Sequence, residues 1–300
     1  MQKVKGIVLV AVGASSYGVL ATFVEIAHNN GAYTGVLTFA QFLIGALVLT
    51  AICAFKTQDE PNNDIITPYP RLQLMAFGLS LGLTSTFYYI SIQYVPVSIA
   101  VILLMQAIWM GIVLESIIEP QWVDKTKIIG GGIVIIGTLM ATDVFNDTVQ
   151  LNITGITFGL MAAVSYTVTM YASNNVALNL PSLSRSKYLV WGGFMAIIGY
   201  WNISIIDYFS WGDFAKWGIF LAVFGTILPP ILFTRGFPIT GMALGSIVSA
   251  LEIPVSVLAA LLILGEHVNF IQWTGIIVIL VAVYIIDARL KKPAGRTLFE

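Results

Sequence analysis

A carboxylate at position 252 lies inside the apolar run that leads from Thr240 to Leu264, two residues before Pro254. An unpaired acid at the middle of a membrane-spanning helix costs about 2.5–3.5 kcal/mol on insertion scales for Asp, and Glu should be similar. At helical spacing Gly245, Ser249, Glu252, Ser256 and Ala259 share one stripe, with Ile247, Leu251, Leu258 and Leu262 opposite. Glu252 therefore points along a small, hydroxyl-bearing face. Two chemistries fit it: a structural carboxyl hydrogen-bonded to a neighbouring helix, or an acceptor for a proton or a substrate amine. Pro254 lacks a backbone N–H and frees the carbonyl of Ala250, so a bend is expected there.

A second constellation comes from internal similarity. The segment Tyr94 to Glu119 aligns with Thr240 to Glu266, which sets Met105 in the place of Glu252 and Gln106 beside it. On a continuous helix Ile102, Met105, Gln106, Trp109 and Met110 share a face. An amide, an indole and two thioethers suit an apolar or aromatic ligand, and equally suit plain packing. Ala14-Ser15-Ser16-Tyr17-Gly18 pairs in the same way with Ala162-Ala163-Val164-Ser165-Tyr166. Tyr17 and Tyr166 lie mid-span, where a tyrosine is no interfacial anchor. Tyr88 follows the hydroxyl-rich Thr84-Ser85-Thr86. The candidate binding residues are thus Tyr17, Tyr88, Gln106, Trp109, Tyr166, Ser249 and Glu252. Glu115 and Glu119 fall near a span end, within reach of water or lysines, and Arg235 reads as an anchor of topology.

The elements that hold these residues follow from composition. The chain has 300 residues, 58% hydrophobic and 10% charged, with a mean hydropathy of +0.90. Soluble domains carry about 25% charged residues, so the chain lacks the polar surface of a water-soluble fold. A net charge of −1 offers nothing to nucleic acid, and one cysteine, Cys53, excludes an internal disulfide. His28 and His267, read as loop residues, lack zinc-ligand spacing, and no phosphate-binding Gly-rich loop ends in Lys-Ser/Thr. No cofactor is expected. Gly130-Gly131-Gly132 and the Gly78/Gly82 spacing read as close helix packing.

Apolar runs over 6–27, 35–55, 72–94, 97–118, 128–145, 155–177, 188–206, 215–234, 242–264 and 271–290 predict ten spans. The fifth is short and the seventh is interrupted by Trp201-Asn202. With the N-terminus on side one, alternation puts all the basic residues there except Lys216. The positive-inside rule then makes side one cytoplasmic and places both termini inside the cell. The expected fold is an all-α polytopic membrane protein of ten transmembrane helices, divided as 1–147 and 148–300. Five spans per half is odd, so the second half enters inverted, and inverted repeats enclose a midplane binding site in many transporters.

Three stretches carry a family likeness: Leu251-Glu252-Ile253-Pro254 running to Leu264-Gly265-Glu266, then Ile271-Gln272-Trp273-Thr274-Gly275, and Ala14 to Gly18 in the first helix. The chain resembles the EamA-type ten-helix members of the drug/metabolite transporter superfamily. The resemblance implies two inverted five-helix repeats around a central cavity, and secondary transport of a small molecule rather than enzyme chemistry. It also implies a multi-pass protein of the cell (inner) membrane, with export of an amino acid or related amphipathic compound favoured over import or uncoupled passage. Proton coupling would run through Glu252. Three positions depart from the family pattern: Gln41 where Arg is frequent, Tyr17 where Trp is common, and Glu25 near a frequent Lys. A rival from another class, an intramembrane enzyme, would want several acids or histidines converging inside the membrane, and only Glu252 is clearly inside. The expected partners are a small-molecule substrate and the lipid bilayer; a single copy would suffice.

Overall fold

The computed structural model describes residues 2–56, 68–95, 97–118, 125–142, 152–265 and 267–291. The second half of the Gly265-Glu266 pair and the segment Glu119-Pro120 lie outside these. The described residues are helical throughout, joined by turns. In chain order the helices are α1 (Gln2–Asn29), α2 (Thr34–Lys56), α3 (Pro68–Tyr94), α4 (Val97–Leu104), α5 (Ala107–Ile118), α6 (Lys125–Ala141) and α7 (Ile153–Asn175). There follow α8 (Ser182–Trp201), the short α9 (Ser204–Asp207), α10 (Trp211–Leu221), α11 (Leu228–Thr240), α12 (Met242–Ser249), α13 (Glu252–Ala259) and α14 (Phe270–Lys291). Counting α4 with α5, α10 with α11, and α12 with α13 as single rods recovers the ten spans and makes the chain a multi-span helical membrane protein. Seven rods, among the described residues, are long and apolar enough to cross a membrane. α6 and α8, the two that the sequence marks as short or polar-interrupted, fall outside that seven, as does α14.

One boundary moves. The seventh rod was expected to reach residue 206 but α8 stops at Trp201, because Asn202 takes φ +48. With ψ −125 this is a sharp turn conformation rather than a helical one, and the chain turns there before α9.

The packing is set by glycines. A Cβ on Gly78 would strike the Leu189 carbonyl, and one on Gly82 the Gly193 carbonyl, so α3 and α8 touch backbone to backbone. Gly18 lies in the same way against the Glu252 carbonyl and the Ser256 nitrogen, seating α1 on α13. Of the glycine triple in α6, Gly131 faces Ile112, whereas Gly132 has open space before it.

Three rods are broken, two of them where a proline removes a backbone donor. At Pro254 the missing N–H leaves the Ala250 carbonyl without its i+4 donor, and it accepts from Ile253 N instead at 3.0 Å. The preceding amides tighten likewise, Ala250 N to Ile247 O and Leu251 N to Val248 O. This orphans the Ser246 carbonyl, which the Ser249 hydroxyl covers at 2.7 Å. The repeat-related rod breaks at Met105-Gln106 without any proline. Gln106 N turns to Leu103 O, and the Gln106 carboxamide donates to the freed Ile102 carbonyl at 3.0 Å. The third break is a π-helical segment, Ala222–Ile227, before Pro229-Pro230. Pro229 has no N–H for the Phe224 carbonyl, and the Ser16 hydroxyl of α1 donates to it at 2.7 Å.

Candidate functional site

Glu252 is the first residue of α13, 5% exposed, and Ser249 ends α12 fully buried. The break between them turns both side chains inward at one level. Tyr166 of α7 is 2% exposed and Tyr88 of α3 is 7% exposed; both phenols, like that of Tyr17, lie within electrostatic range of the Glu252 carboxylate. Tyr17 meets Tyr166 edge-on, with ring centroids 6.2 Å apart, and Phe233 of α11 at 5.8 Å. The two repeat-related tyrosines therefore touch each other across the line between the halves.

The polar atoms of this cluster are poorly matched. Among the described residues, Tyr88 Oη and Glu252 Oε2 are buried without a hydrogen bond, and the Tyr166 hydroxyl has only the Ser249 hydroxyl within reach. Buried polar atoms are nearly always paired, and each exception needs an account. A lone carboxylate oxygen and two phenols, walled by Tyr17 and Phe233, form an acceptor set for a group that brings hydrogens of its own. A protonated amine does so, with the ring faces adding cation–π attraction; so does a bound proton.

Five of the seven sequence-derived candidates thus converge: Tyr17, Tyr88, Tyr166, Ser249 and Glu252. Gln106 and Trp109 are placed differently. The Trp109 indole N–H donates to Gln106 Oε1 at 2.9 Å, while the other end of that amide caps Ile102. Trp109 is 44% exposed and shares an exposed stripe with Val113 and Ile117, whereas Gly111 faces α12 and Ile108 is fully buried, with its side chain toward α6. The expectation of one common face assumed an unbroken helix, and the break at 105–106 removes that assumption. Met105 itself is 1% exposed in the core.

Other polar residues emerge only with the fold. His28 belongs to the last turn of α1, not to a loop, and its Nε2 lies 2.9 Å from Thr34 Oγ1. Gln41 is fully buried; its Oε1 accepts from the Tyr89 hydroxyl at 2.9 Å and its Nε2 has no partner among the described residues. Arg185, 2% exposed, donates to four carbonyls: Val176, Thr234, Ala172 and Ser173. Glu115 pairs with Lys127 at 3.1 Å and accepts from the Ala243 amide at 3.2 Å, as its interfacial position suggested.

The model of the EamA-like transporter family matches this chain twice, over residues 4–142 and 153–287. An uncharacterised transporter of Archaeoglobus fulgidus is 24% identical over 290 residues, covering 92% of this chain and 94% of its own. A protein crystal structure only 14% identical superposes with a TM-score of 0.74, over 95% of this chain and 99% of that one, which establishes likeness of fold. Two matched repeats, with helical rods through both, leave one assignment: the chain is a membrane transporter of the EamA-like family, not an enzyme.

Proposed function

We propose that the transporter exports a small metabolite with a protonated amine, such as an amino acid or a related amphipathic compound, by alternating access. The observation that carries this reading is the unpartnered Glu252 Oε2 beside the equally unpartnered Tyr88 hydroxyl, with Tyr166 and Ser249 next to them. A buried acid without a partner is costly in a membrane, and substrate or proton would supply the missing hydrogens. Tyr17, Tyr166 and Ser249 complete the binding set; Gln106 and Trp109 serve the helix break instead. The halves 1–147 and 148–300 would act as inverted repeats that rock about the site, bending at Pro254 and at the π-helical turn before Pro229-Pro230. The distribution of basic residues supports a cytoplasmic position for both termini, in the cell (inner) membrane that the family resemblance implies.

Counterflow of a labelled amino-acid mixture into proteoliposomes, without a pH gradient, tests the site. Tyr166→Ala or Tyr17→Ala is expected to lower the flux about tenfold or more, since aromatic anchors dominate binding of small ligands. Unchanged flux in both would reject the proposed binding residues. Glu252→Gln is expected to abolish uphill movement and to weaken downhill movement as well, since the carboxylate is also the acceptor for the amine. Wild-type transport that ignores pH would remove the acid as a proton carrier.

A further inference from the structure

The polar residues that lead away from Glu252 are not scattered. On α1, Tyr17, Ala21, Glu25 and His28 fall on one stripe at helical spacing, running from the level of Glu252 to the end of the helix opposite the N-terminus. Facing them on α3 are Tyr88 and Tyr89, whose rings are 6.2 Å apart. Tyr88 lies in electrostatic range of both Glu252 and Glu25, and Tyr89 of Tyr17. The Tyr89 ring meets the His28 imidazole edge-on at 6.4 Å. At the mouth, Thr34 Oγ1 lies 2.9 Å from His28 Nε2 and accepts from Gln93 Nε2 at 2.5 Å. Gln41 of α2 fixes the Tyr89 hydroxyl and leaves its own buried Nε2 unpaired among the described residues.

We infer that this seam between α1, α2 and α3, entered at His28, carries protons between Glu252 and the membrane face opposite the N-terminus. The inference rests on the transport reading above, since it gives Glu252 its proton. Histidine exchanges protons near neutral pH and suits the water-facing end. Inside, phenolic hydroxyls and the waters that buried orphan atoms attract form the relay. Each hydroxyl takes a proton on one side as it releases one on the other, so the seam is unchanged after passage. The Glu252 carboxylate ends as the neutral acid. The titratable groups that face the seam are Tyr17, Glu25 and His28 from α1, Tyr88 and Tyr89 from α3, Tyr166 from α7 and Glu252 from α13. α2 brings none except Cys53 and Lys56 at its far end.

The test compares wild type with His28→Gln and Tyr89→Phe, neither of which is in the binding set. Proteoliposomes carry a pH-sensitive dye and are given the labelled amino-acid mixture, with and without a pH gradient. Counterflow without a gradient is expected to stay within about twofold, while gradient-driven uptake and the accompanying dye signal fall about tenfold or more, the scale of a lost proton-transfer group. Counterflow doubles as the folding control; should Tyr89→Phe lose it, His28→Gln at the mouth decides. Gradient-driven uptake unchanged in His28→Gln and Tyr89→Phe overturns the seam and leaves the transport reading intact. A wild type that exchanges amino acids without moving protons overturns the seam as well. Absence of counterflow in the wild type is the separate result that would sink the transport reading.

Discussion

Arg185 shows what one buried cation does when, among the described residues, no carboxylate answers it. Its donors reach the Ser173 and Val176 carbonyls, which the end of α7 leaves without helical partners, the Ala172 carbonyl, which also accepts from Val176 N, and the Thr234 carbonyl. The last is orphaned because Pro238, four residues on, has no N–H. The guanidinium thus gathers loose carbonyls from α7 and α11 onto α8, in the favourable field of a helix C-terminus. Arg185→Met is expected to destabilise the purified protein by several kcal/mol, at about 1–3 kcal/mol for each carbonyl left buried and unpaired. Arg185→Lys should recover only part of that, because a single ammonium cannot span the fork. Thermal unfolding in detergent measures both, and equal melting of wild type and Arg185→Met would refute the role. Arg185 was visible in the sequence merely as one more inside charge, since its partners are backbone atoms that no side-chain pattern announces. Glu252 was legible for the opposite reason: a charge within an apolar run has to be explained wherever its partners lie. The Gln41–Tyr89 bond joins residues 48 positions apart, which only the packing of α2 on α3 brings together.

At the scale of elements, the ten apolar runs and the bends near prolines could be read from composition and backbone chemistry, because each depends on local rules. The break at Met105-Gln106 could not, having no proline to mark it, and it is what moves Trp109 off the site. Its sign in the sequence is slight: a glutamine able to cap Ile102 in the way Ser249 caps Ser246. Glycine spacing was a better guide, although one pattern concealed two environments. Gly82→Ala is expected to cost about 1–3 kcal/mol or more, since the obstacle is the Gly193 backbone rather than a movable side chain. Gly132→Ala meets nothing within 4 Å and should be neutral or stabilising by up to about 1 kcal/mol, the difference in helix propensity. Paired melting curves check this. Equal losses in both variants would mean that the close approach of α3 to α8 is not what fixes the rods.

Across the whole molecule, an alternating-access cycle needs contacts between the halves that close one end and can release it. Glu115 supplies such a contact. It ends α5 in the first half, holds Lys127 of α6, and accepts from Ala243 N at the start of α12 in the second half. Gly241, the N-cap of α12, has no side chain to cap the helix, so a carboxylate from the other half does it. This latch lies at the N-terminal face, with the His28 mouth at the opposite face and Glu252 between. Glu115→Gln weakens a charge-assisted hydrogen bond worth about 1.5–3 kcal/mol and should shift the balance toward opening at that end by roughly tenfold. Ser246 is fully buried where α12 packs on Gly111 of α5, just inside the latch. With Cys53→Ser removing the native thiol, Ser246→Cys offers a single label site there. A membrane-impermeant maleimide applied to the N-terminal face should label it several times faster when Glu115→Gln is present, and from the other face no faster. Identical rates would show that the Glu115 contact caps a helix without gating the path to Glu252.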